Sequence, residues 1–545
     1  MKKDPNKLLN KNHPMNNNVK LNPEFDNNLL NPDTFTSHVN KLVKRDESLG
    51  FNEILKKLLM HIEPIDFEAL AFPQLDKLKN KLKQIEQEIT NEDGSIIEAN
   101  KKLKSKIEKQ IVKLKLNNIH ILIISIENLL KVANDNNWGL CKNHESIYIY
   151  NGEYWMNVDE KVFGMFLGEA AEKMGVAKFY ARHFQFKELL FKQFKSTAYL
   201  PTPESNKDVV LINLKNGTFE ITTTGTRIRA FNKSDFLTYQ LPFEFNVDAK
   251  APIFYKFLEE VLPDKEKRDI LAEYLGFVFI KNGNSIIKEE KCLLLYGSGA
   301  NGKSVFYEVS HALFGSQNVS CYSLQSLTDV NGYYRAMLGE TLVNYATEIN
   351  GRLETSHFKA MVSGEPIEAR FAYGVPFKLI QYAKLIFNCN ELPKDVEHSN
   401  AYFRRLLIIH FDVTIPDEKQ DKQLHNKIIE NELSGVFNWV LDGLNRLLEQ
   451  KKFTDCEAVR LARQQYEKQS DSVKLFLEEL GYTSDIEKYK LIKDLYQEYK
   501  SYCLEDGYRP VNKTNFIKRL SGSKILVKRI NIGNIAYLSN TDIPF

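Results

Sequence analysis

The stretch "LLLYGSGANGKSVFYEV", residues 293–309, limits what this chain can fold into more than any other. Its core, Gly297-Ser298-Gly299-Ala300-Asn301-Gly302-Lys303-Ser304, fits the pattern G-x-x-x-x-G-K-[ST] without a gap. The apolar run "KCLLLY" (291–296) before it reads as a buried strand. After it, Val305, Phe306, Val309, Ala312 and Leu313 give one face of a helix that Gly315 can stop. A glycine-rich loop between strand and helix turns backbone N–H groups toward a phosphate, with the positive end of the helix behind them. In that setting Lys303 neutralises the β/γ oxygens of ATP, and the Ser304 hydroxyl ligates Mg²⁺. The alternation of strand and helix from 291 to 413 is that of an α/β nucleotide domain.

Hydrolysis needs more than phosphate binding: an acid to place metal and water, and a cation at the γ-phosphate. "TLVNYATE" (341–348) is strand-like and ends at Glu348, which we expect to orient the attacking water and share in binding Mg²⁺. "AKLIFNCNELP" (383–393) is a further strand ending at Asn390, a side chain able to sense the γ-phosphate or hold water; alone, it reads equally as a turn residue. "NAYFRRLLIIHF" (400–411) sets Arg404 and Arg405 directly before another apolar strand. Paired arginines there suit a finger that reaches a neighbouring subunit's nucleotide. A solvated pair at a strand start is the plainer alternative.

The pieces "GSGANGKS", "YATEI", "FKAMVSGEPIEARFAYGVPFK", "FNCNELP" and "YFRRLLIIHF" follow one another within about 115 residues. Their order resembles the superfamily 3 helicase cassette of the phage and plasmid primase-helicase family, which is related to the poxvirus helicase-primase. The resemblance runs over roughly 140–520. "LINLKNGTFEI", "FLTYQLPFEFNVDAKAP" and "EYLGFVF" are similar to that family's collar region, and "ENELSGVFNWVLDGLNRLL" (430–448) to its helical lid. It implies that Lys303 and Ser304 are the Walker A pair, Glu348 the Walker B acid and Asn390 the sensor. Arg405 would be the finger, with Arg404 second. Lys359, Ser363-Gly364-Glu365 and Arg370 resemble the motif that leads into a DNA-gripping hairpin of the central pore. Here Gly374 is the turn candidate, with Arg370, Tyr373 and Lys378 around it; a cation and an aromatic ring suit a backbone phosphate and a stacked base. Two departures stand out: Thr347 occupies the place of a more usual acid, and Glu365 stands where Asp is common.

The expected fold class is α/β, an AAA+ P-loop ATPase domain of superfamily 3 helicase type at 271–415, with further domains around it. Residues 1–45, rich in Asn, Lys, Asp and Pro, read as a flexible arm. Residues 46–135 form a mainly helical N-terminal region. Leu78, Leu82, Ile85 and Ile89 step by three and four, "NEDGS" (91–95) breaks the pattern, and Leu103, Ile107, Ile111 and Leu114 resume it. A charged helical hairpin follows, with a third helix at about 119–133 expected to pack on it. Residues 136–270 are the α+β collar domain. "SIYIYNGEYW" (146–155) signals a hairpin around Asn151-Gly152, "DVVLINLKNGTFEI" (208–221) is a second strand–turn–strand, and two helices flank Pro263. Residues 416–468 form the lid.

Residues 469–545 read as a winged-helix DNA-binding domain: three helices, then a hairpin joined at 531–534. Between Arg509 and Arg529 stand seven basic residues and no acid. Lys513, Lys518, Arg519, Lys524, Lys528 and Arg529 are therefore expected DNA contacts, with a basic oligomerisation surface as the alternative.

The net charge is only +3, so any DNA contact has to come from such local clusters. Six scattered cysteines without a C-x-x-C pair argue against a zinc site and fit a reducing compartment. The apolar runs fall far short of the roughly 20 residues of a membrane span, and the first residues lack a secretory pattern. A cytoplasmic location in a bacterial host, with no membrane partner, is expected.

Together these readings point to an ATP-dependent, ring-forming DNA helicase, a hexamer by resemblance, serving replication of a phage, plasmid or integrated mobile element. DNA is its partner, single-stranded in the pore and duplex or origin at the winged helix; a separate primase or initiator is left open. Primer synthesis by this chain is doubtful. Only about 135 residues precede the collar, and "PIDFEAL" (64–70) places Asp66 and Glu68 in a loop–helix context rather than on strands. An ATP-switched initiator that unwinds little, and an AAA+ signalling or defence ATPase, remain open alternatives.

Overall fold

The computed structural model describes residues 50–540 apart from 92–93, 144–145, 201–207, 224, 348, 350–353 and 394–395, and leaves out the side chains of 89–99. The expected arm at 1–45 and the acid Glu348 lie outside the described residues.

Two charged helices, Leu75–Asn91 and Gly94–Lys113, form the helical hairpin, bridged by Lys104 and Glu86 at 2.9 Å. Its seam is narrow: Ile85 and Ile107 are buried, whereas Leu103 is exposed. The third helix, Asn118–Asp135, does not rest on this hairpin as expected. It buries Leu122, Ile126, Leu129 and Ala133 in a core shared with Ile54, Leu58, Phe163, Phe186 and Phe194. The reason is in its sequence, "NIHILIISIENLL", which carries more apolar surface than the narrow seam of the described residues can cover.

That core also holds an antiparallel sheet of Gly139–Asn143, Ser146–Tyr150 and Trp155–Val158, covered by the helices Glu160–Lys173, Lys178–Arg182 and Phe184–Thr197. The hairpin expected around Asn151-Gly152 forms between its last two strands. The Asn151 side chain accepts from the N–H groups of Glu153 and Tyr154, so residues 151–154 form a four-residue turn.

A second antiparallel sheet, Val210–Leu214, Gly217–Thr222 and Gly225–Arg229, packs differently. Val210, Ile212 and Leu214 share one core with Phe254 and Leu258 of helix Pro252–Val261, Leu271 of helix Lys265–Phe277, and Leu293, Leu295 and Phe306. Packing is therefore continuous across position 270, where the sequence reading divides collar from ATPase domain, and helix Lys265–Phe277 runs through that position.

The central sheet is wholly parallel. Its strands lie in the order Leu406–His410, Cys292–Tyr296, Lys384–Cys389, Val343–Ala346 and Val319–Ser320. Buried on both faces, these strands are nearly continuous apolar runs, as parallel strands must be. On one face, helix Lys303–Phe314 and helix Leu424–Gln450 share the core with Leu293 and Leu295. On the other, Leu324, Phe358 and Tyr466 pack with Leu294 and Ile408. The chain is thus a mixed α/β protein with a parallel sheet and extensive helical regions.

The C-terminal part folds around its own core. Helices Ser472–Glu479, Ile492–Glu505 and Lys513–Gly522 pack on an antiparallel sheet in the order Tyr482–Leu491, Gly533–Asn540, Leu526–Ile530. The strand Tyr482–Leu491 escapes the sequence reading, which has three helices and a hairpin in this part. Its register jumps between Ser484 and Tyr489, where the Asp485 carboxylate accepts from the N–H groups of Glu487 and Lys488, so no clean alternation survives. The final hairpin turns on Asn531-Ile532 alone. Among the described residues no single helix is long and apolar enough to cross a membrane.

Candidate nucleotide and nucleic-acid sites

The loop 297–304 leaves strand Cys292–Tyr296 with the Gly297 N–H donating to the Cys389 carbonyl at 3.2 Å. Two of its glycines are required by space. A Cβ on Gly297 would lie 2.2 Å from Asn301 Nδ2 and 2.5 Å from the Phe411 carbonyl oxygen. Gly302, at φ +84°, would set one 2.7 Å from Val261 Cγ1. Asn301 is buried and donates to the Phe411 carbonyl at 3.0 Å, which pins the loop to the end of the neighbouring strand. Lys303 is 7% exposed, and its ammonium donates to the Gly297 carbonyl at 2.7 Å and to Asn301 Oδ1 at 3.0 Å. Both acceptors are neutral, and burial pushes the Lys303 pKa down, opposed only by the Cys389 thiol. Among the described residues no carboxylate pairs with this buried ammonium, and an incoming phosphate would supply the compensating charge. Ser298, Ala300 and Ser304 are exposed beside it.

Asn390 follows strand Lys384–Cys389, whose Cys389 pairs with Tyr296, so this exposed side chain stands at the same end of the sheet as the loop. The pairing of Phe387 with Ala346 brings the end of strand Val343–Ala346 to that edge as well. Glu348 is two positions further on, outside the described residues. Two neighbours of the loop escape the sequence reading. His410 stacks on Tyr296 at 4.8 Å, its pKa pushed down chiefly by burial, with Asp412 opposing and Lys267 and Lys303 adding to the depression. Lys267, buried on helix Lys265–Phe277, donates to the His410 carbonyl at 3.3 Å and lies 3.6 Å from Asp412. Within "KEKRDI" it looks like one more surface charge; only tertiary packing distinguishes it.

The arginine pair opens strand Leu406–His410 at the other end of the sheet, where the Arg405 carbonyl accepts from Cys292 N–H. A five-residue strand spans roughly 15 Å, so neither side chain shares a phosphate with Lys303 of the same chain. The two arginines differ sharply. Arg405 is buried, donates to Ser363 Oγ at 2.8 Å and to the Ala401 carbonyl, and pairs with Glu290 at 3.0 Å. Arg404 is exposed and, among the described residues, pairs with Glu290 at 3.0 Å.

The hairpin forms from strands Ile367–Ala369 and Phe377–Leu379, with Glu368 opposite Lys378. Tyr373 is fully exposed at its tip at φ +62°, and Lys378 is exposed. Arg370 instead turns back: it donates to the Tyr333 hydroxyl at 3.0 Å and lies over that ring. In the C-terminal part Asn512 caps helix Lys513–Gly522, accepting from Asn515 N–H. Lys513, Lys518, Lys524, Lys528 and Arg529 are exposed. Arg519 is not: it donates to Asp471 at 3.1 Å. Asp471 caps helix Ser472–Glu479, and its other oxygen lies 3.7 Å from His398 Nδ1, on the segment between Asn390 and Arg404. His398 Nε2 bonds Ser470 Oγ at 3.1 Å.

Two family models match parts of this chain. One, described as D5 N terminal like, covers residues 127–263; the other, described as a family of unknown function (DUF5906), covers 295–405 and so includes the loop, Asn390 and both arginines. These matches, each over about a quarter of the chain or less, support a likeness to phage-type primase-helicases. A relative in Acanthamoeba polyphaga mimivirus, named "Putative helicase L207/L206", is 27% identical to this chain over 245 residues. That alignment takes in 42% of this chain and 24% of the relative, so the chain spans about a quarter of the relative's length. Two solved apo structures of the NrS-1 C-terminal region each cover 75% of this chain and 98% of their own, at a TM-score of 0.41 and 13% and 12% identity. That likeness is too loose to argue from.

Proposed function

We propose that this chain is an ATP-driven, ring-forming DNA helicase that serves replication of a phage, plasmid or integrated mobile element. The observation that supports this best is the separation between Lys303, held ready for an anion at one end of the sheet, and the arginine pair at the other. An arginine so placed serves a nucleotide only if that nucleotide belongs to a neighbouring copy, which favours a ring, a hexamer by family resemblance.

In this reading residues 291–413 are an AAA+ P-loop ATPase of superfamily 3 type. Gly297–Ser304 cradles the phosphates of ATP, and Ser304 with Glu348 holds Mg²⁺, which supplies charge neutralisation at the β and γ oxygens. Glu348 orients the attacking water and Asn390 senses the γ-phosphate. Arg404, exposed and held by one acid, is the arginine that reaches the next subunit, while Arg405 fixes the backbone from which it projects. Tyr373 and Lys378 at the hairpin grip single-stranded DNA, with Arg370 shaping its base through Tyr333. Residues 470–540 act as a winged helix on duplex DNA through Lys513, Lys518, Lys524, Lys528 and Arg529. Primer synthesis does not belong to the reading: the Asp66 carboxylate is occupied as a helix cap, accepting from Glu68 and Ala69 N–H, and Glu68 pairs with Lys79.

Strand displacement on a forked duplex tests the proposal, with Lys303→Ala as control and particle mass measured with and without nucleotide. ATP-dependent unwinding by an oligomer, lost in the variant, is the expected result. DNA binding with no unwinding by an intact ring would overturn it in favour of an ATP-switched initiator.

A further inference from the structure

Outside the ATPase region, one surface is exposed in a way its packing does not explain. The helices Lys178–Arg182 and Phe184–Thr197 bury Ala181, Phe186, Leu190 and Phe194 in the N-terminal core. Yet Phe179 is 89% exposed and Phe184 60% exposed. His183, also exposed, holds its ring 4.9 Å from that of Phe184. Burying a phenylalanine side chain is favourable, so two left in water within six residues call for a partner.

The charge around them says which kind. From Lys173 to Lys195 the chain carries Lys173, Lys178, Arg182, Lys187, Lys192 and Lys195 against the single acid Glu188. Arg182 is tied to Glu172 at 2.7 Å and Lys195 to Glu160 at 2.8 Å, while Lys178 and Lys192 are exposed. Glu169 is the other exposed acid nearby. Lysine is depleted from the cores of protein–protein interfaces, which argues against a second copy of this chain as the occupant. Insertion into a lipid surface would need the apolar face of helix Phe184–Thr197, and that face is already committed to the core. Aromatic rings standing among exposed lysines match one ligand class: unpaired bases that stack on the rings while their phosphates meet the cations.

We propose that Phe179, His183 and Phe184, with Lys178 and Lys192, form a second single-stranded DNA site, separate from the 370–378 hairpin and independent of the nucleotide loop. It holds a strand outside the ATPase region, so the chain touches its substrate at two places.

The test is binding of a fluorescent thymidine oligonucleotide, about 16 nucleotides long to match the span of one binding module, to the full chain without nucleotide. Phe179→Ala and Phe184→Ala should each weaken binding about tenfold, and the pair together more. Phe179→Tyr with Phe184→Tyr should bind as wild type, and Lys178→Ala with Lys192→Ala should lower the salt slope by about two phosphate contacts. All these side chains are exposed, so melting temperature and basal ATPase should stay put. Lys303→Ala should bind the oligonucleotide as wild type does, so failure of the ATPase assignment and failure of this site are separable. Unchanged affinity in the double alanine variant overturns the proposal, and a changed particle mass with that result assigns the patch to contact between copies instead.

Discussion

The two ends of the parallel sheet hold cations under opposite conditions. At one end Lys303 is buried, and its partners among the described residues are two neutral oxygens, from Gly297 and Asn301. At the other Arg405 is just as buried but neutralised by Glu290 and supplied with further acceptors by Ser363 and Ala401. A buried cation with only neutral partners keeps capacity for an incoming anion, whereas one already paired with a carboxylate has spent it on the fold. Residue type and motif position do not separate these cases. The partners do, and on that ground the proposed finger is the exposed Arg404 rather than the buried Arg405.

The largest effect that can break this comparison is at Arg404. We expect Arg404→Ala to lower the ATPase rate about a thousandfold with little change in melting temperature, as removal of an arginine finger does. Mixing Arg404→Ala with Lys303→Ala should restore part of the activity, because each variant supplies what the other lacks at a shared interface. Rescue absent from mixed rings would mean the finger lies elsewhere. Arg405→Ala should behave in the reverse sense, costing about 3 kcal/mol of stability by leaving Glu290 short of its buried partner. A thermal melt checks it; a normal melt with dead ATPase would return the finger to Arg405.

At the loop, Gly297→Ala should weaken nucleotide binding about tenfold, since its Cβ must displace the Asn301 amide or the Phe411 carbonyl. Titration with a fluorescent ATP analogue measures this. Unchanged affinity would show that the loop already relaxes away from the pinned geometry.

Much of this was readable from residues alone, and what was not has local causes. The strand–loop–helix unit around Lys303 was legible because a long apolar run, glycines and a helical stripe all agree over 293–309. The helices flanking Pro263 were legible for the same kind of reason. Strand Tyr482–Leu491 was not, because the turn at Asp485 interrupts its alternation. The seat of helix Asn118–Asp135 depends on competition between two cores, which no periodicity records. Arg405, Arg370 and Arg519 were all read as free cations. Their partners Glu290, Tyr333 and Asp471 lie 115, 37 and 48 positions away, and Lys267 went unnoticed for the same reason.

The basic cluster of the C-terminal part repeats the lesson of the sheet ends with smaller effects. Substituting alanine at Lys524, Lys528 or Arg529 should lower the salt slope of duplex binding by about one each. Arg519→Ala should leave that slope unchanged, because its guanidinium is held by Asp471 rather than offered to solvent. A slope that falls equally for Arg519 would mean the pair opens on DNA.

The smallest effect concerns His398, the other neighbour of Asp471. Burial holds its pKa below the ordinary histidine value, with Asp471 opposing and Arg519 adding to the depression. Between that lowered value and the roughly 6.5 of an unfolded histidine, the unfolded chain binds more protons than the folded one. Stability therefore falls as pH drops through that window and is fully regained above it. His398→Gln keeps a polar side chain near Ser470 while removing the titration, so its melting temperature should decline less steeply than that of wild type between about pH 7 and pH 5. Identical declines would show that His398 takes up its proton as readily in the folded chain as in the unfolded one. A difference would mean that the segment carrying Arg404 is fastened to the C-terminal part by a contact that acid loosens.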